Sequence, residues 1–212
     1  MCTCVYENGI MIEYYGLVGF FFTVICALIA GSIYNREAFV SPLPPIENFW
    51  YGSYRVDKLI TIIIAEAIGG YAAFRIARAL WYYSSGFFQE HYALYDNLSC
   101  ELIYHVPFWA AVLFEIFGCF LLRLAVPRIP QDYQFYLEPV FVSGVITFAL
   151  GFIGVAGLNP VVTSSALQGC EGLGLEWFIF IYWVCPVIGW MLAAHLEHKS
   201  TPKIGEGVKK RQ

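Results

Sequence analysis

Apolar residues in this chain gather into five runs, 14–34, 59–83, 106–126, 139–158 and 176–195, separated by more polar connections. Each run is about 20 residues or longer, which at ~1.5 Å per residue covers the ~30 Å hydrocarbon core of a bilayer. Apolar positions fall on every side of a helix rather than on one stripe, as in helices surrounded by lipid and by one another. The pattern predicts an all-α membrane protein with five full spans. The fourth run ends in Gly157-Leu158-Asn159-Pro160-Val161-Val162. Asparagine is a strong N-cap, and proline suits the first helical position because its missing N–H would be unpaired there anyway. A short helix is therefore expected over 159–169, with Gly169 as its stop. About ten residues reach only ~15 Å, half the hydrocarbon thickness. A half-helix at membrane depth is tolerated only where protein or a water-filled cavity surrounds it. That marks a pore or a binding site.

Composition agrees with the pattern. The chain is 59% hydrophobic and 13% charged, with mean hydropathy +0.62, which excludes an ordinary soluble domain. Cations occupy alternate connections: Arg36, Arg55 and Lys58 after the first run, Arg123 and Arg128 after the third, and the 199–212 tail after the fifth. Positions 1–13, 84–105 and 169–175 carry no lysine or arginine. By the positive-inside rule the protein is multi-pass with a cytoplasmic C-terminus. A cation-free N-terminus on the opposite side has no secretory n-region. It suggests a chain that begins at the end of a lost first helix, with residues 1–5 as its remnant. Arg75 and Arg78 lie three apart inside the second run, hence on one face. Counting from Lys58 they are roughly 25–30 Å along, near the outer interface. There a cation snorkels or pairs with an acid such as Asp96, and a pore-lining role is the alternative.

No nucleophile sits beside a base, so no enzyme is expected, and no basic patch outside the tail suggests nucleic acid. Neither cofactor nor metal is expected. The seven cysteines lack CxxC spacing, Cys2 and Cys4 have no nearby histidine, His91 and His105 have no partners at ligand spacing, and His195 and His198 read as solvated residues at the cytoplasmic end. Cys26, Cys119 and Cys185 read as small hydrophobes, while Cys100 and Cys170 fall on the same side and leave a bridge open. Glu66 and Glu115 lie in apolar runs, where a carboxyl is costly unless paired. Both are expected to serve structural hydrogen bonds.

The break recurs. Ala30-Gly31-Ser32-Ile33-Tyr34-Asn35-Arg36-Glu37 follows the first run much as Val155-Ala156-Gly157-Leu158-Asn159-Pro160 follows the fourth. This points to an inverted repeat with a second re-entrant half-helix at 35–47. Pro42, Pro44 and Pro45 are expected to cut that helix, since proline disfavours helical geometry in the residue before it. Two half-helices meeting N-terminus to N-terminus focus positive dipole ends at mid-membrane, which repels cations, while asparagine amides bind a passing water or hydroxyl.

These residues resemble the aquaporin (major intrinsic protein) family. Gly157-Leu158-Asn159-Pro160-Val161 is close to its Asn-Pro-Ala box, and Tyr182-Trp183-Val184-Cys185-Pro186-Val187-Ile188-Gly189 resembles its last helix. Phe114-Glu115-Ile116-Phe117-Gly118 resembles the helix whose glutamate holds the second box, and Ala65-Glu66-Ala67-Ile68-Gly69 a region carrying an amide there. The resemblance covers residues 14 to about 196. It implies a single aquaporin-like domain over 1–212, pore boxes at Asn35, Arg36, Glu37 and Asn159, Pro160, Val161, and loop anchors at Glu66 and Glu115. Selectivity-filter positions would fall at Tyr15, Thr147 and Val162. The first box departs from Asn-Pro-Ala, Val162 replaces the usual filter arginine, and the family's first helix is missing. Those departures resemble the unorthodox superaquaporins. They imply a homotetramer in a lipid bilayer of the endoplasmic reticulum, other intracellular membranes or the plasma membrane, passing water and small neutral solutes such as glycerol or peroxide. A non-conducting truncated member that associates with full-length subunits is the alternative, and a proton-coupled transporter using Glu66, Glu115 and Arg75 a third reading.

Overall fold

Pairing of the long apolar helices organises the computed structural model, which describes residues 4–35, 38–88, 102–155, 157–167 and 170–200. The elements are α1 (Cys4–Asn35), α2 (Leu43–Trp50), α3 (Val56–Ser85), α4 (Phe108–Ala125), α5 (Gln131–Phe148), α6 (Pro160–Ala166), α7 (Leu175–Ile179) and α8 (Cys185–Ser200). Among the described residues five segments are long and apolar enough to cross a membrane: Tyr15–Tyr34, Val56–Ser85, Phe108–Arg128, Gln131–Ile153 and Leu175–Lys199. No strand occurs among those residues. The protein is an all-α membrane protein.

Single bends within the spans have local causes. Gly16 breaks α1 with φ 64, a conformation open to glycine because it lacks a Cβ. The last span passes through a π-helical stretch, Phe180–Val184, just before Pro186. Proline cannot donate to the carbonyl four residues back, and wider turns accommodate the loss.

The tightest crossing joins α4 to α8. A Cβ at Gly189 would stand 2.0 Å from the Ile116 carbonyl oxygen, so only glycine lets the two backbones meet. Small residues at such contacts are how helices associate where lipid and side chains are equally apolar. On the other side α1 lies against α5, where the fully buried Ser143 hydroxyl donates to the Phe21 carbonyl at 2.7 Å. The two short helices are exchanged between halves. α2 packs on α8, and α6 packs on α3, where Ser165 Oγ donates to the Gly70 carbonyl at 2.6 Å. This reciprocal exchange is the inverted repeat expressed in contacts. It is incomplete in one respect: α8 is covered by α4, whereas the apolar window of α3 has 0% of its residues buried.

The half-helix expected at 35–47 is not where the sequence put it. Asn35 is the last residue of α1, and the short helix is Leu43–Trp50. Its prolines begin it rather than cutting it. Pro42 is the N-cap, and Pro44 and Pro45 sit in the first turn. The N–H groups that proline lacks have no intrahelical acceptor in that turn, so the substitution costs nothing there.

Candidate functional site

The N-termini of α2 and α6 meet in the middle of the molecule, with Leu43 and Leu158 in one buried cluster with Cys119 and Leu122. Asn159 caps α6 as its residue type predicts. Its Oδ1 accepts from the amides of Val161 (3.2 Å) and Val162 (3.3 Å), and the Thr163 amide donates to its carbonyl at 2.9 Å. The start of α2 repeats this arrangement with a shorter side chain. The Leu43 amide donates to Ser41 Oγ at 3.4 Å, and the Ile46 amide to the Pro42 carbonyl at 3.0 Å. Ser41-Pro42-Leu43 therefore stands opposite Asn159-Pro160-Val161. One hydrogen bond ties the two: Asn159 Nδ2 donates to the Val40 carbonyl at 2.9 Å.

The loop before α6 is fixed from α4. Glu115, only 2% exposed, accepts from the Leu158 amide at 2.7 Å and also from the Gly157 amide. Cys119 Sγ donates to the Leu158 carbonyl at 3.2 Å. These contacts hold Leu158 at φ 65, a left-handed geometry that costs a side-chain-bearing residue roughly 1–3 kcal/mol. A Cβ at Gly157 would lie 2.2 Å from Glu115 Oε1, so the carboxyl reaches the loop only past a glycine.

α2 is fixed at its far end. Glu47 takes two bonds from Arg123, Nε to Oε2 and Nη2 to Oε1, both 2.7 Å. Trp190 Nε1 donates to Glu47 Oε2 at 2.6 Å, and Arg123 Nη1 to Glu197 Oε2 at 2.5 Å. Arg128 joins through Glu197 at 3.5 Å. Beside this network the Tyr51 ring stacks on His198 at 4.4 Å. At the opposite end Tyr104 and Tyr182 share a hydroxyl hydrogen bond of 2.8 Å, and burial pushes the Tyr104 phenol above its usual range.

Two cavities flank the meeting point. The larger, about 680 Å³, runs between α1 and α5 up to Ser41, Asn159 and Val162. The smaller, about 500 Å³, lies between α3 and α6 and includes Glu66 and Gly70. Ala38, Phe39, Val40 and Val162 line both, so they form the partition.

Putative aquaporin-10 of Caenorhabditis elegans is 36% identical over 203 residues, which is 95% of this chain and 72% of that protein. The chain belongs to the aquaporin family. Aquaporin-11 of Milnesium tardigradum is 23% identical over 191 residues, 89% of this chain and 68% of its own length. No family model matches the chain. The unorthodox type expected from the box departures fits both of those names. At the level of the family, this aquaporin is a multi-pass membrane channel for water or small solutes and not an enzyme.

The residues singled out from sequence are placed unequally. Asn159, Pro160 and Val161 begin α6, Val162 lines both cavities, and Glu115 bonds the loop. Asn35 ends α1, and Arg36 and Glu37 lie outside the described residues. Both carboxylate oxygens of Glu66 are buried without a hydrogen-bond partner among the described residues, while one turn on the Gly70 carbonyl accepts from Ser165 of α6. Tyr15 is 68% exposed and Thr147 has a buried, unpartnered hydroxyl, and neither lines either of the two cavities. Arg75 lies over the Tyr71 ring at 4.8 Å, a cation–π contact on an exposed face. Cys170 is disulfide-bonded, and Cys100 lies outside the described residues.

Ser41 and Glu47 were missed by sequence reasoning. A signal for Ser41 existed: Ser41-Pro42 has the same polar-residue-then-proline order as Asn159-Pro160, six residues beyond Asn35. Glu47 carried none, since its partners are 76 and 143 positions away.

Proposed function

We propose that this aquaporin is a passive channel for water and small neutral solutes such as glycerol or peroxide, of the unorthodox type. The observation that carries the reading is the waist: Val40 and Val162 line both cavities, and Asn159 bridges the two half-helices through the Val40 carbonyl. Asn159, Pro160 and Val161 form one pore box. Ser41, Pro42 and Leu43 form the other, in the role first expected of Asn35, Arg36 and Glu37. One amide hydrogen of Asn159 remains for the permeant, because an NH₂ group has two donors and Val40 takes one. The positive ends of α2 and α6 at the waist disfavour cations. Val162 adds an apolar wall where a cationic filter would select water alone. The basic ends of the spans face the cytoplasm, and large exposed apolar side chains such as Phe117, Phe152 and Trp177 support packing as a homotetramer in the bilayer of an intracellular membrane or the plasma membrane.

Stopped-flow shrinkage of proteoliposomes tests this. Wild-type protein raises water or glycerol permeability above empty liposomes, and Asn159→Asp, which removes the donor to Val40, abolishes the increase. Wild-type permeability equal to that of empty liposomes sinks the channel. A second reading, a non-conducting member acting by association with other aquaporin subunits, is favoured by the uncovered α3. It expects permeability only when such a subunit is reconstituted alongside.

A further inference from the structure

We propose that Glu138, held by Gln134 and accompanied by Gln131 on the same face of α5, is a specificity-determining group. It selects neutral solutes with several hydrogen-bond donors, polyols and urea-like amides, over water and peroxide. The inference rests on the channel reading above and concerns its larger cavity.

Positions 131, 134 and 138 are spaced i, i+3, i+7, so they form one stripe along α5. All three line the 680 Å³ cavity. Gln134 Nε2 donates to Glu138 Oε2 at 3.0 Å, which fixes the carboxylate and leaves Oε1 open. Among the described residues no cation pairs with Glu138. An ionised carboxylate accepts only, at about four lone-pair sites, and Gln134 occupies one. Ser32 on the facing helix has its proton committed to the Ile29 carbonyl at 2.7 Å, so its oxygen also faces the cavity as an acceptor. Apart from Ser41 and Asn159 at the waist, the remaining side chains of the wall are apolar or aromatic, among them Leu28, Leu122, Val126 and Trp190. A surface of acceptors opposite a hydrocarbon wall complements a molecule with donors on one side and carbon on the other.

Water has little use for such a stripe. At ~30 Å³ per molecule the cavity has room for about twenty waters, so water reaches the waist without touching Glu138. A polyol must shed its hydration before the partition of Val40 and Val162, and unreplaced hydrogen bonds are costly. Bonds to a charged acceptor replace them with roughly twice the strength of neutral ones.

Proteoliposomes carrying wild-type, Glu138→Gln or Glu138→Leu protein, checked for monodispersity, are compared for water, glycerol, urea and peroxide entry. Glu138→Leu should lower glycerol and urea permeability about tenfold, equivalent to about 1.4 kcal/mol. Water and peroxide should change less than twofold. Glu138→Gln, which keeps size and shape, should lose about threefold for the same two solutes and carries the test if the leucine variant does not fold. A parallel fall of water and glycerol, or an unchanged glycerol-to-water ratio in the variant tested, overturns the inference and leaves the channel intact. So does a wild-type protein that passes water but neither glycerol nor urea. Wild-type protein passing nothing overturns the channel reading and this one with it.

Discussion

Removal of Glu47 should release α2 from the rest of the molecule. In Glu47→Ala, Arg123 loses two of its three carboxylate bonds and Trp190 Nε1 loses its acceptor. The Arg123 and Glu47 side chains are 15% and 17% exposed, so water compensates only in part. Removing one partner of a buried pair costs about 3–5 kcal/mol, and Glu197, still 2.5 Å from Arg123, keeps the cation neutralised and reduces the figure. About 2–3 kcal/mol remains, to which the stranded indole N–H adds about 1. A loss of about 3–4 kcal/mol corresponds to a melting-temperature drop of roughly 6–16 °C for a chain of this size. Glu47→Gln keeps acceptor atoms for Trp190 and one arginine nitrogen and should cost about half as much. Glu197→Ala removes a single Arg123 bond and the longer one to Arg128, so it should cost least. Tryptophan-fluorescence melting in detergent reads all three. Equal losses in Glu47→Ala and Glu197→Ala, or a Glu47→Ala shift under 2 °C, would refute the assignment of Glu47 as the anchor of α2.

Gly189→Ala places a methyl 2.0 Å from the Ile116 carbonyl and should cost 3 kcal/mol or about that, at the upper end for overpacking, read as a melting shift and a loss of folded yield. Glu115→Leu leaves the Leu158 and Gly157 amides without an acceptor and should cost about 2–4 kcal/mol, with water permeability lost as the Asn159 loop moves; unchanged flux contradicts the role. Ser143→Ala loses only the bond to the Phe21 carbonyl and should lower stability by about 1 kcal/mol with flux intact.

What was legible in the sequence follows from the range of the signals. Spans depend on hydrophobic length, and the start of α6 on a cap and a proline side by side, so both are local. The first short helix starts later than an asparagine signal predicts: α1 includes Asn35 as its last residue, and α2 begins at Leu43 after Pro42, with the Leu43 amide donating to Ser41 Oγ. Glu115 was found because an acid in an apolar run demands a partner, and the loop amides supply it. The same logic predicts a partner for Glu66, yet its carboxylate has no hydrogen bond among the described residues, since an acid in an apolar helix says a partner is needed and not which one is within reach. Glu47 looked like an ordinary polar residue after three prolines. Only the fold brings Arg123, Glu197 and Trp190 around it.

The anchoring of α2 has a consequence for how the protein is made. Residues 43–50 are made before α4 and α8, yet the bonds that anchor Glu47 come from Arg123 and, 143 positions after it, from Trp190. During synthesis Glu47 can take its two Arg123 bonds once α4 is in place, but it waits for α8 to supply Trp190. A ribosome that stops before α8 leaves Glu47 with its Arg123 bonds alone and Arg123 without Glu197, a ready mark for quality control.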